Sequence, residues 1–239
     1  MNKTLLALSL SLFTLGAAQA SEWGYDNDKH GPEHWGEIAK DCATTKNQSP
    51  INIEKPTDAA LEALELSYTG KVIGLTNNGH TLQAQVDGHN SLTIDGETFE
   101  LQQFHFHTPS ENQIKGHQYP LEAHFVHANE DGELAVISVM FNVGVQNLAL
   151  SKLINAIPQE NQSAFFKDTF DINDLLPKTA SYYRFNGSLT TPPCTEGVRW
   201  FVLKDTQALS QEQASKLMGV MGQNNRPLQP LNARVVLSN

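Results

Sequence analysis

Two short runs hold the residues best suited to chemistry: Gln103-Phe104-His105-Phe106-His107 and Leu121-Glu122-Ala123-His124-Phe125-Val126. Side chains alternate faces along a strand, so Gln103, His105 and His107 point one way and Phe104 and Phe106 the other. In the second run Glu122, His124 and Val126 share a face, with Ala123 and Phe125 opposite. Paired as neighbouring strands, the runs place three imidazoles on one face and three phenylalanines on the reverse. Histidines at i and i+2 lie about 6–7 Å apart along the backbone, close enough for both rings to converge on one ion. The third imidazole completes a tripod with one tetrahedral position open to water, the ligand set of a catalytic rather than a structural zinc site. Gln103 and Glu122 each precede a histidine by two residues on its own face, where they can accept the outer ring N–H of a metal ligand. The histidine pair alone would also fit a half-buried core strand; the two partners and the third histidine argue against that.

The elements that must position these runs are short. Val72–Thr76, Leu82–Val86 and Ser91–Ile94 read as strands between Gly and Asn turns, and Ile51–Ile53 enters the first sheet segment after Pro50. Gly132–Phe141 is nearly continuously apolar, as expected of a strand buried on both faces. Helical pattern is confined to Ala59–Leu64, Leu148–Ala156, Ile172–Leu175 and Ser210–Met218, so the chain reads as a strand-dominated α+β domain. Met1–Ala20 reads as a secretory signal, with Lys3, an apolar Leu5–Leu15 core and Ala18-Gln19-Ala20 before the cut. That core is shorter than the ~20 residues needed to span a bilayer. Removal takes away Lys3 and no acid, moving the formal charge from −10 to −11 at neutral pH. Such a charge argues against nucleic acid or an anionic membrane as partner. No linker, repeat or charge block divides Ser21–Asn239, which is expected to form one domain. Two cysteines, Cys42 and Cys194, remain in a chain read as exported, and an even count in an oxidising compartment favours a bridge over two separate thiols. His34, between tryptophan-bearing segments, reads as a packing residue, and Asn77-Asn78-Gly79-His80 as a turn carrying a histidine.

Taken together, NNGH (77–80), QFHFH (103–107), PSEN (109–112), LEAHFVH (121–127) and GSLTTPPCTEGVRW (187–200) resemble an alpha-class carbonic anhydrase of the secreted bacterial type, from about Trp23 to Val236. The resemblance implies a large, mostly antiparallel twisted sheet with short peripheral helices and zinc at the base of a conical cavity. It implies zinc-dependent reversible hydration of carbon dioxide to bicarbonate through zinc-bound hydroxide. His105, His107 and His124 would be the ligands, with Gln103 and Glu122 behind them. Glu111 would orient Thr190, whose hydroxyl positions the nucleophile, and His80 would shuttle protons. Tyr25, Asn78 and Gln83 would line a polar wall. Val126, Val136, Leu189, Val198 and Trp200 would form the apolar wall, with Thr191 beside Thr190; as aliphatic and aromatic positions, these five also fit an ordinary core. Asn224–Arg234 would pack behind the metal without chemistry of its own. The resemblance further implies a Cys42–Cys194 bridge, weak esterase activity, inhibition by sulfonamides and anions, a periplasmic location and a homodimer. The rival readings are a catalytically silent binding domain, which should have lost a histidine or the Glu111–Thr190 pair, and a zinc carrier, which should show a His- or acid-rich loop. The sequence has neither feature.

Overall fold

Apolar–polar alternation cut by Gly and Asn turns produces the strands that matter here: β1 (Lys71–Asn77), β2 (Leu82–Val86), β3 (Glu97–His107), β4 (Leu121–Ala128), β5 (Leu134–Val143), β6 (Gln162–Asp171), β7 (Tyr182–Ser188) and β8 (Glu196–Leu203). The computed structural model describes residues 23–26 and 28–239, so the expected signal segment lies outside the described residues. The strands join a 13-stranded sheet in the order β6-β1-β2-β3-β4-β5-β8-β7, extended by Leu237–Ser238 and Thr57–Asp58. Pairing is antiparallel except at β5–β8 and a few short flanking contacts. Among the described residues no helix is long and apolar enough to cross a membrane.

Register decides which side chains meet. Across β3 and β4, Gln103 pairs with Val126, Phe104 with Phe125, His105 with His124 and His107 with Glu122. The even-numbered phenylalanines of β3 enter a large core with Phe125, Val72, Leu75, Leu82 and the helices behind. A second apolar cluster, around Val136, Met140, Phe185, Val198, Trp200 and Val202, covers the other face. The pairing slips between Leu101 and Gln103, where two residues of β3 face one step of β4. Because of that bulge, Phe99 and Leu101 pack toward the large core although they share parity with Gln103 and His105.

Three expectations need correction. Ala59–Leu64 is not helical: Thr57 N and Ala59 N donate to Val236 O and Ser238 O, tying the segment to the C-terminal strand. A six-residue run is too short to offset helix nucleation on its own, and Leu61 and Leu64 reach the large core from an extended backbone instead. His34 is half exposed with Nδ1 2.9 Å from Glu37, and the packing falls to Trp35, which is fully buried. The last long helix is Gln211–Met221, started by a Ser210/Gln213 capping box.

His127, on the core side of β4, shows how tightly that side is sealed. Its Nδ1 lies 3.2 Å from Ala135 O, which only accepts, so Nε2 is left to accept from the Tyr68 hydroxyl. Burial lowers its pKa from 6.5 to about 4. The unfolded chain therefore binds this proton first on acidification. Stability from the neutral imidazole is complete above about pH 6.5 and is lost as pH falls through the folded value, about 3 kcal/mol in total. Urea midpoints measured from pH 7 to pH 4 should fall more steeply for the wild type than for His127→Gln; parallel slopes would refute this.

Candidate metal centre

The imidazoles of His105, His107 and His124 converge from two adjacent strands. Their ring centroids lie 5.0, 5.3 and 4.5 Å apart, and one nitrogen from each falls within 4.8 Å of the others. Each outer nitrogen faces an acceptor. His105 Nδ1 lies 2.8 Å from Gln103 Oε1 and His107 Nδ1 lies 2.7 Å from Asn224 O. His124 Nε2 lies 2.8 Å from Glu122 Oε1, in contact but off the line of an ideal hydrogen bond. Those partners accept, so the outer nitrogens carry the protons, and His105 Nε2, His107 Nε2 and His124 Nδ1 present lone pairs inward. Burial lowers the pKa of His105 and His107, and the neighbouring histidines lower that of His105 further. Neutral imidazoles are the form a metal takes.

A divalent ion fits this set on a direct observation. Among the described residues His107 Nε2 is fully buried with no hydrogen-bond partner, as is Glu111 Oε2, 3.5 Å away. Buried polar atoms are rarely left so. Three imidazoles without a thiolate or a fourth protein ligand match the open tetrahedral set that zinc adopts in catalytic sites.

Two buried carboxylates behind the histidines are shifted in opposite directions. Burial would raise Glu122, but His124, Ser138 and Asn112 outweigh it and bring its pKa down to about 2. Its Oε1 accepts from Ser138 Oγ at 2.6 Å and Asn112 Nδ2 at 2.8 Å; its Oε2 accepts from the backbone N–H of Glu111 and Asn112. Burial pushes Glu111 up to about 7, against the pull of His124, the Arg226 N–H and Thr190. Arg226 N donates to Glu111 Oε1 at 2.8 Å. Thr190 acts on the same carboxyl without completing an aligned bond to Oε2. Glu122→Gln would turn an amide donor toward groups that already donate. It should weaken zinc affinity about 10–100-fold in a chelator competition; an unchanged affinity would remove Glu122 from the site.

The remaining expected residues fall on this face in rows. Gln83, His105, His124, Ser138 and Val202 lie directly across from one another on five strands. One row over come Gln103, Val126, Val136, Trp200 and Phe185. Val126, Val136, Leu189, Val198 and Trp200 all belong to the second apolar cluster, and Trp200 stands edge-on to His124 at 4.9 Å. Val126 and Leu189 are its half-buried members. Beyond β7, the Leu189–Cys194 loop folds back through Leu189 N to Thr195 O and Cys194 N to Thr191 O, leaving Thr190 buried and Thr191 half buried. Cys194 is bonded to Cys42. His80 stacks flat on Trp23 at 3.9 Å, and Tyr25 packs edge-on against Trp23 and Trp35. Burial, then Glu111, raises the Tyr25 phenol, which places it within electrostatic reach of the site. Asn78, expected to order water, spends its Oδ1 on the backbone N–H of His80 and Thr81.

Sequence reasoning places Asn224–Arg234 behind the metal but assigns it no chemistry, and so misses two contacts. Asn224 supplies the carbonyl behind His107, and Arg226 supplies the N–H on Glu111. The Arg226 guanidinium is buried among Gln48 Oε1, Ser49 O and Cys42 O, and burial lowers its pKa to about 10. One signal pointed there: the residue two before His107 is itself a ligand, so its outer N–H needed a partner from elsewhere.

Fold and site together define a three-histidine group able to hold a metal ion, on the face of a large mixed sheet opposite the large core. The family model for eukaryotic-type carbonic anhydrase matches residues 30–239. A carbonic anhydrase of Neisseria gonorrhoeae is 45% identical over 97% of this chain and 94% of its own length. The solved Photobacterium profundum alpha-carbonic anhydrase is 57% identical, with a TM-score of 0.88 over 90% of this chain and 100% of its own. That of Thermovibrio ammonificans, solved with the inhibitor sulfanilamide, is 44% identical with a TM-score of 0.87 over 90% and 98%. The chain belongs to the alpha (eukaryotic-type) carbonic anhydrase family, and is an enzyme of the lyase class that hydrates carbon dioxide.

Proposed function

We propose that this enzyme interconverts carbon dioxide and bicarbonate at a zinc ion held by His105, His107 and His124. The observation that carries the reading is the convergence of three inward lone pairs around the buried, unpartnered His107 Nε2. Zinc there supplies Lewis acidity that makes a water-derived nucleophile available near neutral pH. Gln103, Asn224 O and Glu122 hold the rings in the donating tautomer. Glu111 is placed to accept the Thr190 hydroxyl proton as a hydrogen bond, which would turn the Thr190 oxygen toward the open position as an acceptor. It then favours occupants that carry a proton and turns the nucleophile toward the substrate carbon. Val126, Val136, Leu189, Val198 and Trp200 offer an apolar surface suited to carbon dioxide, and Thr191, Gln83 and Tyr25 border it with polar groups. Sulfonamides and small anions should compete for the open position. Activated esters should be slower substrates of the same site. Initial-rate hydration by mature protein, with a zinc-free control, tests the reading: activity that survives zinc removal would refute it.

Each turnover releases a proton. A donor of pKa about 7 that hands it straight to bulk water does so at only about 10³ s⁻¹, against about 10⁶ s⁻¹ for the well-known carbonic anhydrase example of zinc catalysis. His80 is suited to that step because imidazole is the side chain that gains and loses a proton near neutral pH. His80→Ala should lower kcat at least about tenfold and leave kcat/KM nearly unchanged, and added imidazole should restore kcat. A proportional fall in kcat/KM would make His80 a shaping residue instead.

We infer that the chain is exported to a bacterial periplasm as one domain, Ser21–Asn239, after loss of Met1–Ala20. The signal-like leader and the Cys42–Cys194 bridge support this. N-terminal sequencing of the mature protein tests it.

A further inference from the structure

The turn that carries His80 is fastened to the ligand strand by side chains outside the zinc set. β2 pairs with β3 through Gln83↔His105 and Ala84↔Phe104, so the same register would next bring Leu82 opposite Phe106. The ladder stops there, and the Thr81 hydroxyl replaces it. Its Oγ1 donates to Phe106 O at 2.5 Å and accepts from Phe106 N at 3.3 Å. Asn224, 1% exposed, closes from the other side. Its Nδ2 donates to Phe106 O and to His80 O, both at 3.0 Å. Its Oδ1 accepts from Thr108 N at 2.7 Å, and its backbone O accepts from His107 Nδ1 at 2.7 Å.

Phe106 lies between two ligands, so its peptide groups set the spacing of His105 and His107. Both lone pairs of Phe106 O and both hydrogens of the Asn224 amide are used, leaving the arrangement little room to shift. Through Asn224 alone, the shuttle turn, the ligand strand and one ligand ring share a single residue.

We propose that Thr81 and Asn224 form a clasp that positions His80 relative to the His105–His107 pair. The proposal rests on the reading of His80 as the proton relay. Neither residue touches substrate; both act through His80 and Phe106. The relay depends on a fixed span between imidazole and zinc, and misplacements near 1 Å can cost up to about 10²-fold in steps that depend on geometry. Stacking on Trp23 fixes the ring, whereas the clasp fixes the backbone that carries it.

The test compares Thr81→Ala, Thr81→Ser, Asn224→Ala and His80→Ala in a buffer without imidazole. Thr81→Ala should lower kcat by about three- to tenfold with kcat/KM unchanged, because only the geometry-dependent relay is disturbed. Added imidazole should restore kcat, and Thr81→Ser, which keeps the hydroxyl, should behave as wild type. In zinc-free protein, Thr81→Ala should speed amide hydrogen exchange at His80 and Thr81. Asn224→Ala should do the same and weaken zinc affinity about tenfold in a metal-buffer titration. If Asn224→Ala does not fold, the Thr81 pair decides alone. Wild-type kcat and exchange in Thr81→Ala, beside a loss in His80→Ala, would overturn the clasp and leave the relay standing. Parallel loss of kcat and kcat/KM in Thr81→Ala would also overturn it, because the hydroxyl would then be shaping the zinc site. Full kcat in His80→Ala would overturn the relay reading and the clasp with it.

Discussion

His124→Ala should leave the purified protein with little zinc and reduce carbon dioxide hydration by orders of magnitude. The substitution removes one of three donors. It also strips Glu122 of the imidazole that most strongly holds its carboxylate ionised in a fully buried place. Two imidazoles from one strand cannot close a tetrahedral site, and water would have to fill two positions instead of one. Alanine at His105 or His107 should act similarly, since all three rings lie within the same small triangle. Zinc-to-protein ratio by elemental analysis, measured with initial rates, checks this. A fully active, zinc-loaded His124→Ala enzyme would refute the tripod.

Loss of the Cys42–Cys194 bond should destabilise the protein by roughly 2–5 kcal/mol. The two residues are 152 apart in sequence, and closing a loop of that length in the unfolded chain accounts for the upper end on chain entropy alone. The bond also joins two segments that meet through little regular structure. Cys194 O accepts from Gln48 Nε2, Cys42 O accepts from Arg226 Nη2, and neither residue lies in the sheet. Denaturant titrations of wild type and Cys42→Ser, with and without reductant, measure the effect. Reductant should shift only the wild type. Equal midpoints for the two proteins without reductant would show that the bridge adds nothing.

Much of the site was legible because strand alternation is a rigid rule. His105, His107 and His124 share a face for the same reason that Phe104, Phe106 and Phe125 share the other, and Gln103 and Glu122 could be assigned to their histidines by spacing. What stayed hidden was donated by backbone. Asn224 O reaches His107 across 117 positions and Arg226 N reaches Glu111 across 115, and neither contact depends on a side-chain identity that a reader could notice. The apolar wall was ambiguous for a different reason. Val136 and Trp200 are as buried as any core residue, and only the cross-strand rows show them to lie on the imidazole side. Ala59–Leu64 misled because its helical pattern is local, whereas Ala59 N bonds to Ser238 O at the far end of the chain and Glu62 O accepts from the Tyr182 hydroxyl.

The bulge before Gln103 makes length at that point matter more than chemistry. Gln102 is exposed, and among the described residues its amide donates to Glu100 O alone, so most replacements of its side chain should be silent. Its presence as a residue is another matter. Deleting it would put the two halves of β3 back in step, so that the half holding Phe99 and Leu101 could meet the large core only if the half holding the histidines turned away from zinc. Position 102 should therefore tolerate variation in kind but not in number, since losing one residue there would displace the histidines from the face they share.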